Sequence, residues 1–425
     1  MAGTSTNGHF DSEDVGHNQL NALALGSISP STLAVHADDA LNVVADVAPP
    51  IHVSTTFRYP RDPTKLVPVY GQPLDQRSSP TEHVYSRDTT HGTTRLEAIL
   101  SSLLKNPALT YSSGLSALHA LLTFLNPKNI AIGDGYHGCH GVIRIHQRLT
   151  GCKVHALDCK PDELGEGDLI CLETPVNPTG EAFNIQHYAD VAHSRGAYLM
   201  VDATFAPPPL QDPFKHGADV VLHSGTKYIG GHSDLLCGVL VVKRKEWLPK
   251  LQLDRVFLGS VMGGLEAWLG VRSVRTLELR ILRQSETAGR IVDAIDGALT
   301  GHTVGTGLSQ SDAEAIKAVV AKVRHASLQT ADYKTWLKKQ MPNGFGPVFT
   351  VVMKTADLAK RLPSKLNLFH HATSLGGVES LIEWRTMSDS TVGKDVLRVS
   401  IGIEDEKDLL DDLLQGFRAV AEWHS

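Results

Sequence analysis

Short strand-like runs alternate with helix-like runs between Ala108 and Val242, and this alternation constrains the fold more than any other feature of the chain. Parallel strands need crossover connections, which are usually helical, so the pattern predicts an α/β fold with a mostly parallel sheet flanked by helices. The strand-like runs are ALTYSS, NIAIGD, KVHALD, DLICLETP, AYLMVDAT, DVVLHS and LLCGVLVVK, and the helical runs include GLSALHALLTFL and NIQHYADVAHSRG.

The segments around this alternation predict a division into four parts. Residues 1–28 are rich in Gly, Ser, Asn and Asp without a sustained pattern, which is typical of a disordered tail. Residues 29–82 are proline-rich and irregular and are predicted to form an N-terminal arm. Residues 83–263 form the predicted large domain. In residues 264–425 a long helical connection to about Ala298 precedes mixed helices and strands, so we expect a linker helix and a smaller α+β C-terminal domain.

Composition excludes several classes of function. The formal charge of −6 and the lack of any basic block leave no electrostatic footprint for nucleic acid or for an anionic membrane. No run of 18 apolar residues exists and the first residues are polar, so neither membrane insertion nor secretion is indicated. The cysteines are odd in number and lie mostly on apolar strand patterns, which favours core packing in the reducing cytosol: Cys139, Cys152, Cys159, Cys171 and Cys237.

The segment HSGTKYIGGHSD places Lys227 just beyond an apolar run, among hydroxyl residues and glycines. A lysine that forms a Schiff base with pyridoxal phosphate must lie on a sharp turn at a strand end, where small or hydroxylated neighbours admit the phosphate. Ser224 and Thr226 meet that requirement. A solvated loop lysine is the alternative for this motif taken alone. Two upstream segments favour the catalytic interpretation of Lys227.

Those upstream segments are apolar runs that each deliver one polar side chain at a strand end. Asp202 closes one run, and an aspartate beneath a pyridine nitrogen keeps the ring protonated, an attraction of about 4 kcal/mol at ~4 Å and an effective dielectric of ~20. Thr204 follows in the same segment. Asn177 ends the other run and could bond the ring hydroxylate, although an Asn-Pro alone indicates only a turn. Because ligands bind outside the carboxyl ends of parallel strands, the three segments together predict a pyridoxal phosphate site.

These and other ordered motifs resemble the Cys/Met-metabolism family of pyridoxal-phosphate enzymes, which includes cystathionine γ-synthase, the cystathionine lyases, methionine γ-lyase and O-acetylhomoserine sulfhydrylase. The resemblance covers nearly the whole chain and implies a transferase of fold type I. Besides the segments above, it rests on VHADDALNVVADVAPPIHVSTTF, VYSRDTTHGTTRLEAIL, YSSGLSALHALL, WLGVRSVRTLELR, SLGGVESLI and LRVSIGIED.

The resemblance implies further contacts with the cofactor. Gly114 and Leu115 open a helix after a strand, where free N–H groups and the helix dipole face a bound dianion, so their amides are expected to bind the phosphate. Tyr136 matches the tyrosine stacked over the ring and is taken as catalytic together with Lys227. Tyr85 and Arg87 match residues that grip the phosphate from the neighbouring subunit, a task that suits the planar guanidinium. We therefore expect a homodimer with shared active sites, paired into a homotetramer.

Substrate contacts are implied for the C-terminal part of the chain. Arg398, on an alternating strand pattern, matches the arginine that binds the amino-acid carboxylate, with Ser374 and Asn177 assisting. A bidentate salt bridge would fix the substrate so that its Cα–H bond stands perpendicular to the ring. No metal is expected, because His137 and His140 form an H-x-x-H pattern without a second pair of ligands.

Departures from the family concern the acceptor side of the reaction. Thr373 stands where many synthases and γ-lyases carry glutamate, EWRTMSDS replaces the usual His-Pro-Ala segment, His91-Gly92 stands where Asn-Pro is common, and Gly264 stands where proline often occurs. This combination is similar to family members in fungal biosynthetic clusters that couple O-acetylhomoserine to a carbon nucleophile. The expected reaction is γ-replacement on an O-acyl-L-homoserine by a thiol or, preferably, a carbon nucleophile such as a β-keto acid.

Two alternatives stay open at this point. A cystathionine β/γ-lyase would release an α-keto acid and ammonia through the same early chemistry. A catalytically silent binding or regulatory subunit is the other, and the retention of Lys227, Asp202, Tyr136, Arg87 and Arg398 together argues against it. The sequence names neither the nucleophile nor the acyl group of the donor.

Overall fold

The computed structural model describes residues 28–42, 44–68 and 83–424. The tail predicted for residues 1–28 therefore lies outside the described residues, except for Ile28. The α-helices are α1 (Pro30–His36), α2 (His91–Leu104), α3 (Gly114–Leu125), α4 (His137–Thr150), α5 (Ile185–His193), α6 (Leu248–Leu258), α7 (Gly264–Val274), α8 (Leu277–Thr300), α9 (Gln310–Val319), α10 (Thr330–Asp332), α11 (Lys338–Gln340), α12 (Ala356–Arg361) and α13 (Glu406–His424). The strands are β1 (Ala108–Tyr111), β2 (Asn129–Ile132), β3 (Lys153–Ala156), β4 (Leu169–Glu173), β5 (Tyr198–Asp202), β6 (Val220–Ser224), β7 (Gly238–Val242), β8 (Val320–Arg324), β9 (Val348–Met353), β10 (His370–His371), β11 (Leu381–Trp384) and β12 (Val396–Ser400). Short 3₁₀ turns and one π-helical turn occupy several connections.

The alternating region forms a seven-stranded sheet in the order β1-β7-β6-β5-β4-β2-β3. Strands β3, β2, β4, β5 and β6 run parallel, whereas β7 is antiparallel to both of its neighbours. The prediction of a mostly parallel sheet is confirmed. Because β4, β5 and β6 are parallel neighbours, their carboxyl ends open on the same edge of the sheet.

Alternate residues of these strands pack into two separate apolar clusters, one on each face of the sheet. Val221 and Val201 belong to one cluster together with buried residues of α2, α5 and α7. Val220 and Met200 belong to the other with residues of α3, α4 and α6. Successive side chains of a strand point to opposite faces, so both faces of the sheet are covered by helices, as a parallel sheet requires.

A second sheet of five strands follows in the order β10-β11-β12-β9-β8. It is antiparallel except for the short β10–β11 pair. A cluster of its own, which includes Phe349, Ile382 and Phe417, joins it to α8, α9 and α13. This mixture of helices and antiparallel strands agrees with the expected α+β character of the C-terminal part, while the division at residue 263 stays a prediction.

The helical connection predicted from Gly264 to Ala298 consists of two helices, α7 and α8, separated at Arg275 and Thr276. The side chain of Arg280 forms two hydrogen bonds at this break. Its Nη2 donates to the carbonyl of Ser273 at 2.9 Å, and its Nε donates to the hydroxyl of Thr276 at 3.1 Å. Its Nη1 donates to the carbonyl of Tyr228 at 2.8 Å. The interruption thus lets α8 bond to the segment that carries Lys227.

Residues of the predicted arm lie against α7 and α2. The indole of Trp268 donates to the carbonyl of Pro49 at 2.8 Å, and Thr56 forms a β-bridge with Tyr85. None of the helices in the described ranges is long and apolar enough to cross a membrane.

Candidate active site

The carboxyl ends of three adjacent strands meet at one place on the sheet edge. Glu173 at the end of β4 lies directly beside Asp202 at the end of β5. Thr204 connects this edge to β6, because Oδ1 of Asp202 accepts bonds from the Thr204 N–H at 3.0 Å and hydroxyl at 2.5 Å, while the N–H of Ser224 donates to the Thr204 hydroxyl at 2.8 Å. The sequence-predicted residues Asp202, Thr204 and Ser224 are therefore brought together by direct contacts.

The turn between β1 and α3 faces Ser224. Ser113 caps α3 through a reciprocal capping box with Ser116, which leaves the amides of Gly114 and Leu115 with no acceptor among the described residues. A Cβ atom on Gly114 would lie 3.2 Å from Cβ of Ser224, so glycine permits the close approach of the two segments. Two free amides beside a serine side chain at a helix N-terminus suit a phosphate dianion.

Thr226 is held differently from Ser224. Its hydroxyl accepts a bond from the Cys237 N–H at 2.9 Å and lies 3.4 Å from the Cys237 carbonyl oxygen, so it bonds to the start of β7. The contact shapes the turn before Lys227, and a direct bond from Thr226 to a phosphate stays a prediction.

Lys227 reaches from the first sheet to the C-terminal part of the chain. Its Nζ donates to the hydroxyl of Ser374 at 2.7 Å. Burial, together with the positive charge of Arg398, lowers the pKa of Lys227 from 10.5 to about 8, and the carboxylate of Glu383 opposes this shift. An amine with a pKa near neutrality can both accept and return a proton at physiological pH.

This lowered pKa gives a testable titration. We expect acylation of Lys227 in the cofactor-free protein to be half-maximal near pH 8, whereas solvated lysines follow a value of about 10.4. Because the unfolded chain binds the extra proton between the two pKa values, this amine makes the folded state more stable as the pH rises through that window. Competitive labelling with mass spectrometry across pH 6 to 11 measures the midpoint, and a midpoint above about 10 would contradict the burial argument.

Gly376 packs directly on the backbone of Lys227. Its φ is +82°, and a Cβ atom there would lie 2.9 Å from both the carbonyl carbon of Lys227 and the nitrogen of Tyr228. Replacing Gly376 by alanine is therefore expected to destabilise the fold by about 1–3 kcal/mol and to displace the lysine.

Thermal unfolding and cofactor absorbance measure both effects of the Gly376→Ala change. Gly307→Ala is the matched control, because Gly307 also has a positive φ of +73° but nothing within 4 Å of an added Cβ. Equal behaviour of the two variants would show that contact with Lys227 is unimportant.

Glu173 was not singled out by sequence reasoning, yet it holds two predicted residues in place. Its Oε2 accepts from the N–H of Tyr136 at 2.8 Å and its Oε1 from the N–H of Asn177 at 2.7 Å. Burial and the charge of Asp202 raise the pKa of Glu173 to about 8, and burial raises the pKa of Asp202 as well. The signal in the sequence was a carboxylate ending an apolar strand next to the strand of Asp202.

Arg398 lies on β12 and joins both parts of the site. Its Nη1 donates to Oδ1 of Asn177 at 3.2 Å, and its Nη2 donates to the carbonyl of Ser374 at 2.7 Å and to Glu383 at 2.6 Å. Burial lowers the pKa of Arg398 to about 10, so the guanidinium stays charged at neutral pH. The predicted substrate residues Asn177, Ser374 and Arg398 thus form one contact group with Lys227.

Tyr85 and Arg87 stand apart from this group. Both side chains are exposed, and the guanidinium of Arg87 lies 5.3 Å from the centre of the Tyr85 ring. Within the described ranges, no hydrogen bond or ion pair joins either side chain to Lys227, Ser224 or the β1–α3 turn. Their predicted role in a neighbouring subunit is not tested by a single chain.

The residues present fit pyridoxal phosphate. The free amides and Ser224 would hold the phosphate, Asp202 would face the ring nitrogen, Tyr136 and Asn177 would contact the ring, and Lys227 would supply the reactive amine. No cluster of three or more His, Cys, Asp or Glu residues in the described part of the chain is arranged to hold a metal ion. The five cysteines are free, and burial raises the pKa of Cys139 well above its ordinary value.

Comparison with known proteins is consistent with this arrangement. A family model described as Cys/Met metabolism PLP-dependent enzyme matches residues 31–418. The chain is 31% identical to a cystathionine gamma-lyase of Saccharomyces cerevisiae over 413 residues, covering 91% of this chain and 97% of the relative. It is 35% identical to a cystathionine gamma-synthase of Mycobacterium tuberculosis over 350 residues, covering 78% and 85% respectively.

Solved structures show the same similarity. The crystal structure of metB from Corynebacterium glutamicum superposes with a TM-score of 0.80 at 28% identity, covering 93% of this chain and 99% of that chain. The cystathionine gamma-lyase from yeast superposes with a TM-score of 0.77 at 29% identity, covering 92% and 98%.

Proposed function

Because the chain belongs to the Cys/Met metabolism family of PLP-dependent enzymes, we propose that it catalyses γ-replacement on an O-acyl-L-homoserine, joining Cγ to a nucleophile. The chain is a transsulfuration-type enzyme that uses pyridoxal phosphate, and its relatives include both synthases and lyases. The solved neighbours also confirm the expected fold type I. Within that class, O-acetyl-L-homoserine is the donor we favour, and a carbon nucleophile such as a β-keto acid is the favoured acceptor, with a thiol as the alternative.

The residues of the chain supply binding and proton transfer for this reaction. Pyridoxal phosphate, when bound, supplies an electron sink for the electrons of a broken Cα–H bond. Lys227, with a pKa of about 8, can remove the Cα proton and then move a proton at Cβ. The hydroxyl of Ser374 accepts a bond from its Nζ at 2.7 Å and so limits where the amine points. Loss of the acyl group as a carboxylate and addition of the nucleophile at Cγ complete the exchange.

Arg398 is proposed to orient the donor through its α-carboxylate. Its guanidinium is buried, charged and within bonding distance of Asn177 and Ser374, which lie on different parts of the chain. A carboxylate held beside Lys227 would present the Cα–H bond to the amine. Tyr136 directly precedes α4, and its partly exposed ring is available to cover a bound ring system.

The observation that carries the choice of acceptor is the buried ionic turn after β11. Arg385 bonds to Glu383 at 2.7 Å and to Asp389 at 3.3 Å, and it lies close enough to influence the pKa of Tyr136. This turn replaces the His-Pro-Ala segment usual in the family, while the cofactor residues keep the usual pattern. A segment that departs from the family pattern, next to cofactor residues that keep it, supports a non-standard acceptor.

Product analysis tests the proposal. We expect O-acetyl-L-homoserine with a β-keto acid to give a product whose mass equals the sum of both less acetic acid. A panel of thiols, including cysteine, tests the alternative acceptor. Formation of α-keto acid and ammonia from cystathionine, without coupled product from any acceptor, would instead establish the lyase. A protein that binds the cofactor but converts no amino acid would establish the silent subunit.

We also propose that two chains build each active site and that dimers pair into tetramers in the cytosol. The exposure of Tyr85 and Arg87 supports this, since both side chains are accessible to a second chain. Apolar residues of the arm are exposed too, including Val47 at 95% and Val53 at 78%, as expected for a segment that a partner covers. The free cysteines agree with a reducing compartment.

A further inference from the structure

Arg385 is buried although it begins a turn at the surface. Its exposure is 2%, whereas Met387 two residues later is 68% exposed. An arginine in such a position normally keeps its guanidinium in water, because burial of a charge is costly unless the charge is paired. The guanidinium instead points inward from the 3₁₀ turn Arg385–Met387, towards the site of Arg398.

Only some of the N–H donors of the Arg385 guanidinium have hydrogen-bond partners. Nη1 donates to Oε2 of Glu383 at 2.7 Å and to the hydroxyl of Ser388 at 2.9 Å, and Nη2 donates to Oδ2 of Asp389 at 3.3 Å. The Nε–H is buried and has no partner among the described residues. A buried ionic group with an unpaired donor is a poor way to gain stability, which points to a functional reason for its presence.

Glu383 is the link between Arg385 and Arg398. The two residues Glu383 and Arg398 face each other across β11 and β12. Oε2 of Glu383 accepts from Nη2 of Arg398 at 2.6 Å and from Nη1 of Arg385 at 2.7 Å, so two guanidiniums share one oxygen atom. The other oxygen, Oε1, accepts from the hydroxyl of Ser388 at 2.6 Å. Charges of alternating sign therefore run from Asp389 through Arg385 and Glu383 to Arg398.

This order of charges matters for an incoming carboxylate. A guanidinium paired with one internal carboxylate is neutralised, and a substrate must compete with that partner. When a second guanidinium and a hydroxyl bind the same internal carboxylate, the negative charge of that carboxylate is shared among these groups. The carboxylate is also held away from the side of the first guanidinium that is open to the substrate. Arg398 also uses bonds to Asn177 and Ser374, which fix its orientation.

We propose that Arg385 is a positioning residue for Arg398. Together with Ser388, it holds the carboxylate of Glu383 where that carboxylate orients Arg398 but leaves the positive charge of Arg398 available to the substrate carboxylate. The inference rests on the proposed role of Arg398 in binding the donor. It assigns to the unusual EWRTMSDS segment a function in donor recognition, in addition to its place beside Tyr136. The segment would then affect the affinity for any α-amino acid carboxylate, whichever nucleophile is used.

The test compares equilibrium binding of glycine and glycinamide to the cofactor-loaded protein, followed by the change in cofactor absorbance. The two ligands share an amine and differ in the carboxylate. The double variant Arg385→Met with Asp389→Asn removes one charge of each sign, and asparagine keeps the oxygen that accepts from Thr391. In this variant Arg398 is the one guanidinium bonded to Glu383, which keeps its bond from the Ser388 hydroxyl. We expect glycine to bind about 10- to 100-fold more weakly and glycinamide to change by less than about 3-fold.

The following results decide whether Arg385 has this role. An unchanged preference for glycine over glycinamide in the double variant would overturn the proposal. Arg385→Lys retains a cation beside Glu383 and is expected to keep most of the preference, so a complete loss there would also count against it. If the double variant does not fold, Ser388→Ala decides the question, since it removes the hydroxyl that donates to Oε1 of Glu383 and accepts from Nη1 of Arg385, and it should weaken glycine binding selectively.

The control variant is Arg290→Met with Glu286→Gln, which removes an exposed ion pair of 2.7 Å on α8 together with the 3.0 Å ion pair of Arg290 with Glu406, and which should leave the binding of both ligands unaffected. Glycine has no Cγ and cannot undergo γ-replacement, so its binding relative to that of glycinamide reports recognition of the carboxylate independently of the proposed reaction. A failure of the coupling assay with normal glycine binding would concern the proposed reaction, whereas a failure of this experiment would concern only Arg385.

Discussion

Replacing Lys227 by alanine is expected to abolish coupled product, lowering kcat/KM by about 10³-fold or more. Lys227 is a part-buried amine whose Nζ lies 2.7 Å from the hydroxyl of Ser374 and whose pKa is lowered to about 8, so the variant loses the group that we propose moves the protons. The side chain is only part-buried and follows β6 at the edge of the sheet. The folded state should therefore persist, and the loss should fall on turnover.

Product formation by mass spectrometry and the absorbance of bound cofactor measure this effect separately. Lys243→Ala is the matched control, because Lys243 is an exposed lysine just after β7. Borohydride reduction of the wild-type protein should attach the cofactor to the peptide that contains Lys227. Attachment to another peptide, or retained turnover in the alanine variant, would remove Lys227 from the centre of the site.

Mixing two inactive variants should restore activity if two chains build each site. Arg87→Ala lacks the phosphate contact that we propose Arg87 offers to the partner, and Lys227→Ala lacks the proposed catalytic amine of its own site. In a mixed dimer one site combines the intact Lys227 of one chain with the intact Arg87 of the other. With random exchange half of the dimers are mixed and each has one complete site, so about a quarter of the wild-type activity is expected.

The comparison needs a measure of exchange and a control pair. Subunit exchange can be followed by native mass spectrometry of chains of different mass. A mixture of Lys227→Ala with Asp202→Ala provides the control, because both residues are assigned to the same chain's share of the site, so each site of a mixed dimer lacks one of them. No restoration is expected for this control, and restoration to about a quarter would show that the two residues come from different chains.

A second control is the double variant carrying Arg87→Ala and Lys227→Ala in one chain, mixed with wild type. Its mixed dimers contain one site with wild-type Lys227 and a partner lacking Arg87, and another with the reverse defect. No site in those dimers is complete, so dilution of wild type by this chain should reduce activity below the wild-type fraction. Activity that simply follows the wild-type fraction would show that each chain carries a complete site.

Much of the fold could be predicted because its signals are local. The apolar runs that became β4, β5 and β6 end in Glu173, Asp202 and Ser224, and parallel pairing alone brings such ends to one edge. The turn before α3 was recognisable for the same reason, since a strand followed by a capped helix exposes free amides. These residues lie within a few positions of the features that predict them.

The remainder of the site depends on contacts that no local pattern encodes. The contact between Glu383 and Arg398 follows from the register of β11 on β12, and the contact between Lys227 and Ser374 joins residues 147 positions apart. Glu173 stood in a recognised segment, but its bonds to Tyr136 and Asn177 depend on how two loops return to β4. Sequence reasoning therefore predicted the candidate reactive groups, whereas the residues that hold them became visible only in the structure.

The exposure of Tyr85 and Arg87 also bears on how much enzyme a cell obtains from a given amount of chain. If completing a site requires a second copy, then below the dissociation constant of the pair the number of working sites grows with the square of chain abundance. Halving expression would then cut output about fourfold in that range, and a stably folded but defective copy would interfere with the product of an intact gene.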